Sequence, residues 1–349
     1  MSKINNISLD YRDKHLRNQL QYNRKYREIF NKVAGQFAAL SNDPNAKFTR
    51  SFKFNGVINN KIDIIIESFQ KEALDLTELE IEKTWSLSND KNDNIVKDYI
   101  KTIGTIKAAQ EAKWFMPNIP ALKAFIGSEH GTETLSDAVW KVADQLRDEL
   151  QIHLGIGLMN GDSADVISRR IRQYLQNPDA LFRRVRDDNG RLVASQAMID
   201  NAPGQGVYNS AYRNALRVTR TETNTAYMLA DNIRWDQIDF VIGISVKVSA
   251  QHQIQDICDD LQGTYPKDYV FTGNHPQCMC HAIPIMSSKE NFRDYLDGNA
   301  ELDTTQIQEY PDNFVNFWKE NYDKYSNYKS PPYIFTDNQK IIKSLIGKK

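Results

Sequence analysis

Apolar residues recur at helical spacing over most of the first half of the chain. Residues 9–42 carry Leu16, Leu20, Ile29, Phe30, Val33 and Phe37 in an otherwise polar stretch, and Asn42-Asp43-Pro44 should stop it, because proline disfavours helix in the residue before it. A second helix fits 57–87 through Ile62, Ile65, Ile66, Phe69, Ala73, Leu76 and Leu79, and a third fits 93–114, ending before Pro117 and Pro120. These are long helices with thin apolar stripes. They form either an antiparallel helical bundle or an assembly arm whose stripes pack on another subunit. Helix 133–153 follows (Leu135, Val139, Trp140, Val142, Ala143, Leu146, Leu150) and should end at His153-Leu154-Gly155-Ile156-Gly157. Residues 164–175 make another helix with Asp162 or Ser163 as N-cap. Residues 184–207 read as an irregular connection with turn signals at Asp188-Asn189-Gly190 and Pro203-Gly204.

The clearest helix is 208–235. Tyr212, Ala215, Ala226, Leu229, Ala230 and Ile233 share one face with Thr219 and Glu222, while Arg213, Arg217, Arg220, Asn224 and Asp231 lie opposite. A carboxylate on an apolar face needs a cation or hydrogen-bond donors from elsewhere, so Glu222 marks either a satisfied buried pair or a group that orients a ligand. The period then changes. Phe240, Ile242, Ile244, Val246 and Val248 alternate, which predicts a strand with one buried face. His281-Ala282-Ile283-Pro284-Ile285 fits an edge strand, where proline is tolerated. Beyond residue 287 the chain is aromatic and irregular, from Tyr310 to Phe335, and too apolar for a free tail; it should dock on its own protein or on a neighbouring subunit. The expected fold class is α+β and predominantly helical. The expected divisions are an N-terminal helical region over 1–128, a domain over 129–286 and a tail over 287–349.

Composition adds restraint. With 349 residues, 40% apolar and 26% charged, the chain can bury a core, and a formal charge of −1 provides no global pull toward nucleic acid or membrane. Nothing resembles a membrane span or a signal peptide, so a cytoplasmic protein is expected. Charge type is uneven: from Val142 to Ser245 there is no lysine but there are twelve arginines, against thirteen acidic residues. Arginine favours fixed, bidentate pairing. The arginines therefore pair internally, or Arg169, Arg170, Arg172, Arg183, Arg184 and Arg186 contact phosphate.

The chemistry is concentrated between His252 and His281, which holds all three cysteines and three of the six histidines. Cys278 and Cys280 form a C-x-C pair, His275 lies three residues earlier, and Cys258 lies seventeen before that. Turns at Gly263-Thr264-Tyr265-Pro266 and Thr272-Gly273-Asn274 could join the two segments. Zinc takes four Cys and His ligands, often from pairs close in sequence. Cys258, His275, Cys278 and Cys280 are such a set for a structural zinc, with His252 and His281 as spare candidates. Buried thiols with a hydrogen-bonding histidine are the plain alternative. A catalytic arrangement would leave a coordination position open or use Cys258 as a nucleophile beside His275.

Three ordered motifs resemble one family. Arg217-x-x-Arg220-Thr221-Glu222-x-Asn224, then Cys258-x-x-Leu261-x-Gly263, then His275-Pro276-x-Cys278-x-Cys280 resemble the phage Mu protein F-like family of minor head, or head morphogenesis, proteins, over about residues 130–286. The resemblance implies a phage or prophage protein acting in head assembly at the portal vertex. Its partners would be portal and capsid subunits, with phage DNA and self-association as further partners, and no membrane. It would be found in the cytoplasm of a bacterial host and in the procapsid or virion. It also implies that Cys258, His275, Cys278 and Cys280 form a metal-supported structural core. Some members carry an attached toxin domain, such as an ADP-ribosyltransferase or nuclease, and the flanks here contain nothing comparable. Two rival readings remain: a metal-dependent hydrolase or toxin-like enzyme using Glu222, His252, Asp256 and the cysteines, and a nucleic-acid-binding module using the arginine-only region.

Overall fold

The apolar period along the first forty residues becomes one helix, α1 (Lys3–Ala39). Its buried stripe runs through Tyr22, Tyr26, Ile29, Phe30, Val33 and Phe37. Tyrosines extend that stripe where Leu20 was expected to, and Leu20 is exposed because it lies off the line they define. The computed structural model describes residues 3–46, 54–104, 106–130, 133–178, 185–186, 190, 192–193, 208–250, 255–303, 307, 309–329 and 331–348. The fold is predominantly helical α+β, with long N-terminal helices and a small antiparallel sheet. No helix among the described residues is long and apolar enough to cross a membrane.

The second and third expected helices are drawn differently. α2 (Gly56–Ile100) continues through Ser86–Asp93, where the polar run suggested a break. Ser88, Asn89, Lys91 and Asn92 in that run are buried and hydrogen-bonded, so the helix has no need to leave its path there. After α2 come two short helices, α3 (Ala108–Trp114) and α4 (Ile119–Gly127). Pro120 opens α4 from its first turn, where its missing N–H has no intrahelical partner to lose.

α5 (Leu135–Asn160) begins with a reciprocal cap between Thr134 and Asp137 and runs past Gly155 and Gly157, where a stop was expected. Gly157 is a contact point: a Cβ there would lie 2.4 Å from Ile167 of α6 (Ala164–Gln176), so the missing side chain lets the two helices approach. Ser163 holds the N-cap position of α6 without a side-chain bond, and Asp162 pairs instead with Arg170 at 2.8 Å. Around Gly190 a two-residue ladder pairs Val185 with Val193 and Arg186 with Leu192, while Asp188, Asn189 and the expected Pro203-Gly204 turn lie outside the described residues. α7 (Ala211–Gln237) is the predicted central helix.

Two compact units interleave along the chain. One comprises residues 19–77 and 133–219. Its core joins α1, α2, α5, α6 and the start of α7: Phe30 meets Phe69 edge-on at 4.9 Å and Tyr212 at 5.2 Å, and Leu146, Leu150, Leu154, Ile167 and Ile171 are fully buried. The other comprises residues 1–18, 78–132 and 220–349. It holds the sheet, whose central strand β1 (Val241–Lys247) lies between β2 (Gly263–Pro266) and β3 (His281–Met286), both antiparallel to it. Val241 to Ile244 are buried on both faces, whereas alternation alone suggested one buried face. Gly263–Pro266, expected as a turn, is a strand that pairs Tyr265 with Ile244 and stacks the tyrosine on Tyr269.

The aromatic tail docks on its own chain as α9 (Lys289–Leu296), α10 (Asp312–Ser326), α11 (Tyr333–Asp337) and α12 (Gln339–Ile346). Phe314, Trp318, Ile334, Phe335 and Ile342 enter the same core as β1 and the cysteines.

Candidate metal centre

Cys258 comes from a one-turn helix, α8 (Ile257–Asp260), while Cys278 and Cys280 lie on the turn that leads into β3. Asp256 caps α8: its Oδ1 accepts the Cys258 backbone N–H at 2.7 Å, and Asp259 caps it in return. The second segment is shaped by a tight turn. The Cys278 N–H donates to the His275 carbonyl at 3.0 Å, with Pro276 and the left-handed Gln277 (φ 61°) between them. Gly273 is also left-handed (φ 108°), and a Cβ on it would stand 3.3 Å from the Cys278 Cβ. A side chain at residue 273 would be strained and would press on the sulfur-bearing residue.

The three cysteines are buried, and their sulfurs lie within 4.8 Å of one another, close enough to bind one metal ion. Cys258 Sγ and Cys278 Sγ are 3.7 Å apart. A tetrahedral zinc with Zn–S bonds of about 2.3 Å requires an S···S edge of about 3.8 Å, so the pair fits that geometry. The donor set also fits the ion electronically, since soft thiolates select zinc-like metals. The thiols are strongly interdependent. Hydrogen bonds from Cys258 and Cys280 hold Cys278 far below the ordinary thiol range, and the same sharing raises Cys258. A thiolate supported by neighbouring donors is the form a metal binds.

His275 joins the group through Cys258. Its Nε2 is 3.2 Å from Cys258 Sγ and 3.3 Å from Asp256 Oδ2, and these three donor atoms form a second close triple. Its Nδ1 lies 2.8 Å from the Pro276 carbonyl. A carbonyl can only accept, so Nδ1 carries a proton there, and Nε2 is the ring nitrogen turned toward sulfur and carboxylate. Backbone fixation of this kind orients many metal-binding histidines.

The helix motif and the cysteine turn are physically joined. Thr221 Oγ1 accepts the Gln277 N–H at 3.1 Å, and Asn224 Nδ2 donates to the Cys278 carbonyl at 2.6 Å. Arg220 reaches Met279 Sδ at 3.8 Å. α1 adds to this scaffold. Arg12 donates to Ser249 Oγ at 2.8 Å and to the Met279 carbonyl at 3.1 Å. His15 stacks on Tyr227 at 4.6 Å and meets Asn224 Oδ1 at 3.3 Å; burial lowers its pKa to about 4. Sequence reasoning found Asn224 and Arg220 as a motif but had no signal for Arg12, whose partner lies 267 positions away.

The other expected residues are placed as follows. Glu222 is buried and lines a cavity of about 520 Å³ with Phe125, Leu229, Ile233, Val270 and Asp337. His281 starts β3 opposite Lys247 and belongs to neither metal-ligand triple; burial, with Arg12 and Lys247 nearby, lowers its pKa to about 4. Arg217 falls in the other compact unit. Arg169 and Arg172 are exposed, Arg170 pairs with Asp162, and Arg186 donates to the Gly190 carbonyl at 2.6 Å. His252, Arg183 and Arg184 lie outside the described residues.

A buried polar network near this site was missed from sequence. Asp231, expected on the outward face of α7, is buried and accepts from Ser88 Oγ at 2.6 Å, from Asn92 Nδ2 at 2.7 Å, and from Lys91. Lys91 also lies over the Tyr227 ring at 4.6 Å. Arg234, 1% exposed, donates to Asn89 at 2.8 Å and to Asp93 at 2.6 Å, and Trp235 Nε1 donates to Asn92 at 2.7 Å. The sequence signal was present as the polar run in α2 matched to polar positions of α7, but nothing local paired them. Comparison with family models, curated proteins and solved structures finds no match.

Proposed function

We propose that this chain is a structural protein of phage or prophage head morphogenesis, a Mu F-like minor head protein acting at the portal vertex, whose cysteine centre holds a structural zinc. Cys258, Cys278 and Cys280 supply three thiolates and His275 the fourth ligand. The ion's role is to fix the turn at residues 275–280 against α7 and the small sheet, a unit whose own strands are short. One observation carries the reading: Thr221 and Asn224 of the first family-like motif bind the backbone of Gln277 and Cys278 in the third. Motifs more than fifty positions apart thus form one packed centre, as expected if they are the signature of a single domain.

Two measurements test it. The purified chain should carry about one zinc, and a Cys278→Ser, Cys280→Ser variant should carry none and melt at lower temperature; equal melting of metal-free wild type and variant removes the structural zinc. The chain should copurify with a phage portal protein. Heads that assemble and package normally without it at any stage would remove the assembly role.

A further inference from the structure

We propose that Asp256 and His275 are interchangeable donors for the outward corner of the metal centre, an inference that rests on the metal reading above. A tetrahedral ion bound by three thiolates has one corner left. Two further donors stand beside Cys258: the ligand atoms of Asp256, Cys258 and His275 lie within 4.8 Å of one another. Asp256 Oδ2 lies 3.3 Å from His275 Nε2, and Nε2 lies 3.2 Å from Cys258 Sγ, so both donors gather on the Cys258 side of the thiol cluster.

Burial separates the roles. The cysteines are at most 4% exposed, whereas the His275 and Asp256 side chains are 33% and 34% exposed. The buried side of the ion is therefore all sulfur, and the side facing solvent offers a choice of nitrogen or oxygen. Asp256 can serve there without giving up its cap, because the two tasks use different oxygens: Oδ1 holds the Cys258 N–H and Oδ2 faces His275. His275 is likewise held by its other nitrogen, through the Pro276 carbonyl. Each side chain is anchored through one atom and brings another to the Cys258 side of the cluster. Asp256 also lines a cleft of about 570 Å³ with Asn313, Asn321 and Tyr325.

The test is a double-variant cycle on the full chain, using zinc alone and competition with a chromophoric chelator. Asp256→Asn keeps an amide oxygen for the cap, since Asn and Asp are comparable N-caps, and His275→Ala removes the imidazole; thermal melts of the metal-free chains check that both fold. Each single change should weaken zinc binding about tenfold or less, because the other donor takes the corner. The double change should weaken it at least about tenfold more than the product of the singles. Cobalt-substituted protein should keep its thiolate charge-transfer intensity in both single variants, with ligand-field bands that shift in His275→Ala as oxygen replaces nitrogen. Additive losses, or a His275→Ala variant already as weak as the double, overturn the proposal. Wild type that takes up no metal would instead overturn the metal reading on which it depends.

Discussion

The two compact units bury different kinds of core. In the unit of residues 19–77 and 133–219, an aliphatic and aromatic core gathers around Phe30, Phe37, Phe69 and the leucines of α5, with Glu149, His153 and Asn214 buried beside it. In the other unit an apolar core of similar extent also encloses three thiols, a lysine, an aspartate and an arginine. The first is held by shape and area, which tolerate conservative exchange; the second is held by specific pairings that leave an uncompensated charge when one member is lost. The candidate chemistry lies in the second unit, where polar groups are fixed in an environment with little water.

The sharpest way to break that contrast is Asp231→Ala. It leaves Lys91 buried without its carboxylate, together with Ser88 and Asn92, and should destabilise the chain by about 3–5 kcal/mol in denaturant titrations. Replacing Lys91 and Asp231 together by Met and Leu should recover most of that loss; a double variant as unstable as the single would show that the network is not organised around the charge pair.

A buried carboxyl in the first unit gives the next effect. Glu149 of α5 is buried, and its carboxyl accepts the Ala211 N–H at 2.9 Å at the start of α7. Burial raises its pKa to about 8 from an ordinary 4.5. The folded state therefore holds a proton that the unfolded chain has released. Stability from this group is complete below pH 4.5, declines as pH rises, and is lost above about pH 8. Glu149→Gln should flatten that part of the pH–stability curve, and an unchanged slope between these pH values would contradict the assignment.

The smallest effect expected is a volume change in the apolar core. Phe69→Leu should cost about 1–1.5 kcal/mol and leave zinc content unchanged, because shape-conserving swaps disturb such cores little. A loss of metal on this change would mean that the two units are not separable in the way their cores suggest.

Periodicity alone placed α6, α7, β1 and β3 within a few residues and found α1, α2 and α5 with less accurate ends, and the class, α+β and mostly helical, followed from them. Its errors had physical causes. The break expected in α2 at Ser86–Asp93 failed because those polar residues meet Asp231, Arg234 and Trp235, about 140 positions later. The stop expected at Gly155–Gly157 failed because the glycine serves contact with Ile167. The tail was judged irregular because its aromatic residues hide a short-helix pattern. At the site, clustering in sequence was enough to nominate Cys258, Cys278 and Cys280, which come together. Spacing could not show that His275 would share Cys258 with Asp256, or that Arg12 and His15 of α1 would brace the turn.

By itself, then, the sequence determined which stretches are helical or extended, where the thiols are gathered, and that the chain has apolar residues enough for a core. Those properties depend on the order of neighbours a few positions apart. Only the tertiary structure decided which polar residues are buried, which carbonyls the motif residues hold, and which donors face one point in space. Such outcomes depend on pairs of groups brought together from distant parts of the chain, and local periodicity carries no information about those pairs.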